Sequence, residues 1–131
     1  MPAVVNTQTG NLISNFAPYL DGSVQAPVVA TIAAAGTTQA TATPVVGEVN
    51  LINNNTATNG VILVIPNTQG SGNINQRVVI YPQLATNAPL VYPPLGGTIN
   101  GGAVNAGFAT AARVMRNFLC VSADGLTWIA S

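Results

Sequence analysis

The chain has 131 residues, enough for one domain, with 48% hydrophobic and only 5% charged residues, no net charge, no histidine and no lysine. Three arginines cannot form the basic stripe that phosphate neutralisation needs, and a chain this apolar lacks the charge-rich composition of disorder. No apolar run approaches the ~20 residues of a spanning helix, so neither nucleic acid nor a membrane is expected as a partner.

Residues 1–27 have prolines at positions 2, 18 and 27 and apolar residues without a clean period. Proline fixes φ and cannot donate to a strand ladder, so the segment reads as an extended arm and not as a central strand. It has neither a basic start nor a continuous apolar stretch, so it does not read as a signal peptide. Asp21-Gly22 marks a turn near its end. Residues 28–131 then read as one β domain.

Val28-Val29-Ala30-Thr31-Ile32 is the first strand candidate. The alanines before Gly36 favour a helix but span too few residues for a stable one. Residues 45–52 read as a second strand, with Glu48 and Asn50 on one side of the pleat and Val49 and Leu51 on the other. Asn54-Asn55-Thr56 fits a glycosylation sequon inside a turn, which carries no meaning without secretion. After the turn pair Asn59-Gly60, the run Val61-Ile62-Leu63-Val64-Ile65 suits a strand buried on both faces. Gln69-Gly70-Ser71-Gly72 reads as a loop.

The centre of the chain holds Val78-Val79-Ile80-Tyr81, stopped by Pro82, and Leu90-Val91-Tyr92, stopped by Pro93-Pro94. The spacing predicts a hairpin whose turn carries Asn87, followed by a glycine-rich turn with one short apolar step at Ile99. Residues 103–118 are ambiguous. Ala111-Ala112-Arg113-Val114-Met115-Arg116 contains good helix formers, whereas Val114, Arg116, Phe118 and Cys120 alternate as in a strand. A turn followed by a strand over residues 115–122 is the favoured reading. Asp124-Gly125 predicts a hairpin turn, and residues 126–130, with Trp128, the last strand. Short strands every 8–12 residues predict an all-β fold, a single small antiparallel β-sandwich or barrel-like domain behind the arm.

Chemistry is hard to build from these residues. Without histidine there is no Ser/His or Cys/His nucleophile, and one cysteine makes neither a disulfide nor a zinc site. Asp21, Glu48 and Asp124 are far apart in sequence, and two of them precede turn glycines. The chain is therefore expected not to be an enzyme and to need no cofactor or metal. Cys120, within Phe118-Leu119-Cys120-Val121, reads as a small buried hydrophobe. A neutral surface of alanine, threonine, asparagine and valine does little to keep copies apart, so the chain reads as a subunit of an assembly.

Several segments resemble a domain of tailed-bacteriophage virion proteins. They are Ala35-Gly36-Thr37-Thr38-Gln39-Ala40-Thr41-Ala42-Thr43, then Gly60-Val61-Ile62-Leu63 with Pro66, then Val91-Tyr92-Pro93 with Gly96 and Thr98-Ile99-Asn100-Gly101. Asn105-Ala106 and the closing Phe118, Val121-Ser122 and Trp128 continue the series, which covers about residues 30 to 131. The chain departs from the pattern at Tyr81-Pro82-Gln83. Such domains are similar to head decoration, cement and head-fibre proteins. The resemblance implies a structural virion protein, assembled in the host cytoplasm, that decorates a capsid as a homotrimer with the major capsid protein as partner. The arm would then act as a clamp through Val4, Val5, Leu12, Ile13, Phe16, Tyr19 and Leu20, with Arg113, Arg116 and Trp128 as further contact residues. The alternative is a tail or fibre module that binds host glycans on Tyr81, Tyr92 and Trp128.

Overall fold

The structure, a computed structural model, describes residues 28–65 and 72–131. The arm, with all seven of its expected contact residues, lies outside the described residues, as does the loop expected at Gln69-Gly70-Ser71. The described chain is almost all strand and turn: β1 Val29–Ala33, β2 Thr43–Pro44, β3 Val49–Asn53, β4 Gly60–Ile62, β5 Arg77–Pro82, β6 Leu90–Tyr92, β7 Thr98–Ile99, β8 Phe108–Ala109, β9 Arg116–Cys120 and β10 Thr127–Ala130. The one helical element among them is a 3-10 turn at Gln39–Thr41. It opens on Thr38, whose hydroxyl shares a hydrogen bond with that of Thr41.

The strands form two sheets, one of six strands in the order β1-β3-β5-β9-β10-β7 and one of four in the order β2-β4-β6-β8. Up to β9 the chain changes sheet at every strand. β1, β3 and β5 are parallel neighbours in the large sheet, and β2, β4 and β6 are parallel neighbours in the small one. The path is a coil of strands that closes a turn each time it returns to the large sheet. Register advances 20 residues from Val29 to Val49 and 30 from Val49 to Val79. Antiparallel pairing enters at the C-terminal end, where β9 pairs with both β5 and β10 and β8 pairs with β6, while β10 also pairs in parallel with β7. The fold is all-β as expected, but the antiparallel sandwich is corrected to two sheets of mixed orientation. The expected central hairpin is also corrected: β5 and β6 lie in different sheets and do not pair. The physical reason is the length of the connections. Parallel neighbours need a long crossover, and here the strand in the opposite sheet provides it.

The core lies between the sheets. Ile32, Ile52, Val78, Ile80, Phe118, Cys120 and Trp128 reach in from the large sheet, and Val61 and Val91 from the small one. Phe108 and Phe118, one from each sheet, meet edge to face with centroids 5.7 Å apart, an arrangement that aromatic quadrupoles favour. Trp128 is wholly buried and its indole Nε1 donates to Gly125 O at 2.8 Å, so its one polar atom is satisfied. The apolar run after Gly60 is not buried on both faces. Val61 and Leu63 point into the core while Val64 is exposed, because among the described residues only the face toward the other sheet is covered.

Asparagine holds the corners of this coil. Asn50 is 0% exposed. Its Oδ1 accepts from the backbone N–H of Val46 and Gly47, and its Nδ2 donates to Gly47 O and Val79 O. Its side of the pleat is therefore the inner one, opposite to what its polarity suggests. Asn54 Nδ2 donates to Asn87 O, and Asn87 Nδ2 donates to Asn55 O, which staples one turn of the coil to the next. Asn87 adopts φ 59°, the left-handed region that asparagine tolerates better than most residues. Asn59 Nδ2 donates to Ala34 O, and Asn73 Nδ2 to Ala123 O. Asn100 closes the C-terminal end by exchanging hydrogen bonds with the backbone of Ala130. A buried corner leaves backbone groups without ladder partners, and the short amide supplies both a donor and an acceptor.

Candidate interaction surface

Among the described residues no three of His, Cys, Asp or Glu lie close enough to hold a metal ion. Cys120 is fully buried, and its thiol donates to Ser122 O at 3.3 Å. Asp124 is taken up by its own turn. It accepts from the Ser122 hydroxyl at 2.6 Å and from Leu126 N at 3.0 Å, and these bonds hold its carboxyl below the ordinary value of 3.8. The sequon residue Asn54 is 1% exposed with its amide nitrogen already bonded, so no glycosyl transfer can reach it in the folded chain. No helix among the described residues is long and apolar enough to cross a membrane.

The residues that stand out form a surface. Alternation along each strand of the large sheet sends one set of side chains to the core and the other outward. The outward set mixes apolar side chains with the polar Thr31, Asn53, Asn117 and Thr127. Val29, Val49 and Val79 sit side by side across β1, β3 and β5, and Thr31, Leu51 and Tyr81 form the next row. Across β9 and β10, Leu119 faces Ile129. Val29 is 59% exposed and Ile129 48%. Parallel strands lie about 4.8 Å apart, so the three valines form a ridge roughly 10 Å wide. Val28 and Val46 are also exposed and lie where the chain enters β1 and where it bends before β3.

A groove of about 330 Å³ opens on this face, lined by Glu48, Val49, Asn75, Arg77 and Val79. Its apolar walls come from neighbouring strands in register. Its two charges are of opposite sign, both exposed, and neither side chain has a hydrogen bond or ion pair among the described residues. Asn75, at φ 71°, donates its backbone N–H to Cys120 O at 2.8 Å and so anchors the loop that enters β5.

Of the contact residues expected from the sequence, only three lie among the described ones, and they do not cluster. Arg113 is exposed in a turn at φ 56°, its backbone N–H bonded to Pro82 O. Arg116 begins β9 opposite Ile80 and is half-buried, with its Nε enclosed and unpartnered among the described residues. Trp128 packs in the core and presents no surface. The expectation of a Trp128 contact is corrected on that ground: its position on the strand alternates inward with Ala130. The same burial takes apart the proposed sugar platform. Tyr92 lies under Gly60 and Gly107 with its hydroxyl bonded to Thr37 O, and only Tyr81 of the three rings is on the outer face.

Sequence reading missed Val29, Val49, Val79, Glu48 and Arg77 as a group. The signal available was the V-x-L of Val49 and Leu51, which sequence places on one side of the pleat without saying which side faces the core. What joins the five residues is parallel register across gaps of 20 and 30 residues, which periodicity within a strand does not reveal. Comparison with known proteins gave no match, either to a family model or to a curated protein.

Proposed function

We propose that this chain is a non-enzymatic structural subunit of a bacteriophage virion, a capsid decoration or cement protein that works as an oligomer. The observation that carries the reading is the outer face of the large sheet, where Val29, Val49 and Val79 form an apolar ridge beside a groove whose charges are Glu48 and Arg77. An exposed apolar ridge rimmed by polar residues suits contact with a partner. The phage-like segments identified in the sequence support the virion setting, with the trimer, the major capsid protein and the clamping arm as its finer parts.

The mechanism is mechanical. Interfaces repeated by symmetry turn weak single contacts into avid attachment, and a coil stapled by buried amides gives those contacts a stiff base. The reading is tested by light scattering on the purified chain over a dilution series, then by sedimentation with phage shells that lack their decoration protein. A mass three times that of the chain, with co-sedimentation, is the expected result. A monomer at every concentration, left in the supernatant, refutes it.

A further inference from the structure

We propose that the valine ridge and its groove form a contact between two copies of this chain, in which Glu48 of one copy meets Arg77 of the next. The proposal rests on the oligomeric reading above and assigns it a surface and a pair of charges.

The first argument is charge complementarity within one patch. Glu48 and Arg77 line the same groove, yet neither is paired with the other or with any described residue. A foreign partner would have to carry a base and an acid in matching positions. A second copy carries both by construction. A symmetry operator near the groove brings each acid to the neighbouring base, so that every Glu48 is matched to an Arg77.

The second argument is economy of charge. The chain has three acids and three bases. One of each lines this single groove, beside Val49 and Val79. With no net charge, two copies meet without long-range repulsion. The third argument is the ridge itself. Val29, Val49 and Val79 are held in register by two parallel pairings, so they present an even, β-branched surface for the next copy to cover. Excluding water from the ridge strengthens the charge pairs at its rim.

The test uses the full chain and three charge variants: Glu48→Arg, Arg77→Glu, and the two combined. Native mass is followed by light scattering on dilution, with Trp128 emission and protection of the buried Cys120 thiol as checks that each variant is folded. Each single variant is expected to dissociate at about tenfold or greater higher concentration than the parent chain, since it sets like charges across the contact. The double variant, with the charges exchanged, is expected to regain the parent mass. Raised salt should weaken the parent assembly. A fourth variant, Val79→Thr, keeps the strand-favouring branch and makes the ridge more polar; it too should dissociate more readily. If the parent chain is oligomeric and all four variants keep its mass and dilution behaviour, the contact lies elsewhere and the oligomeric reading stands. If the double variant is as weak as the singles, the pairing is wrong. A parent chain that is monomeric throughout removes both this proposal and the reading beneath it.

Discussion

Replacing Asn50 with alanine tests whether buried amides hold the coil together. The side chain makes four hydrogen bonds: from Val46 N at 3.2 Å and Gly47 N at 3.1 Å, and to Gly47 O at 2.8 Å and Val79 O at 3.3 Å. A net value of about 1 kcal/mol per bond sets a total near 4 kcal/mol. Two of these bonds are long, and Val46 is exposed, so water can reach part of the corner once the amide is gone. Those effects reduce the expected loss to about 3 kcal/mol, a large share of the ~5–15 kcal/mol that holds a domain of this kind. Urea unfolding followed by emission of Trp128, the one tryptophan, measures it. Asn100→Gly is the control. It removes two exposed hydrogen bonds to Ala130 and keeps a residue that accepts the φ of 53°, so it should cost less than about 1 kcal/mol. Equal shifts in the two variants would refute the idea that burial makes the Asn50 corner a structural tie.

Two further outcomes follow from close packing and from the Ser122–Asp124 turn. A Cβ at Gly60 would lie 2.7 Å from Tyr92 Cε2, and one at Gly107 3.0 Å from Cε1, so Gly60→Ala should destabilise by about 1–3 kcal/mol and Gly107→Ala by less. Adding Tyr92→Leu to Gly60→Ala should recover part of the loss, and a strictly additive double mutant would show that the ring is not the obstacle. Asp124 has its carboxyl lowered, first by the Ser122 hydroxyl and then by Leu126 N–H. Its contribution to stability is thus complete above the ordinary value of 3.8 and is lost as pH falls through the lower folded value. Asp124→Asn should remove that part of the acid dependence in unfolding curves taken between pH 2 and 5, with a small effect because the group is exposed. An unchanged acid limb would count against it.

The strands themselves were largely legible. The β-branched runs and the Gly, Pro and Asn stops between them identified β1, β5, β6, β9 and β10, and Asp124-Gly125 marked the turn joining the last two. Composition told something about the surface as well: so little charge on so apolar a chain leaves large apolar side chains outside, and Val29 and Ile129 on the outer face of the large sheet are among them. The errors have one source. Pairing between strands depends on contacts far apart in the chain, so β5 and β6 looked like a hairpin when they belong to opposite sheets. The burial of Asn50 was not legible for a related reason: its amide belongs inside because it satisfies the bent backbone at Val46 and Gly47, and polarity alone does not show that.

Sequence alone determined that this protein is built of short strands, that it has few groups for acid–base chemistry, and that it carries almost no charge to keep copies apart. These are properties of residue type and local spacing. Tertiary structure decided which strands are neighbours, which face of each is open, and that Glu48, Arg77 and three valines from separate strands share one groove and its ridge. Parallel register brings residues 20 and 30 positions apart to within a strand's width, and no pattern inside a single strand encodes that distance.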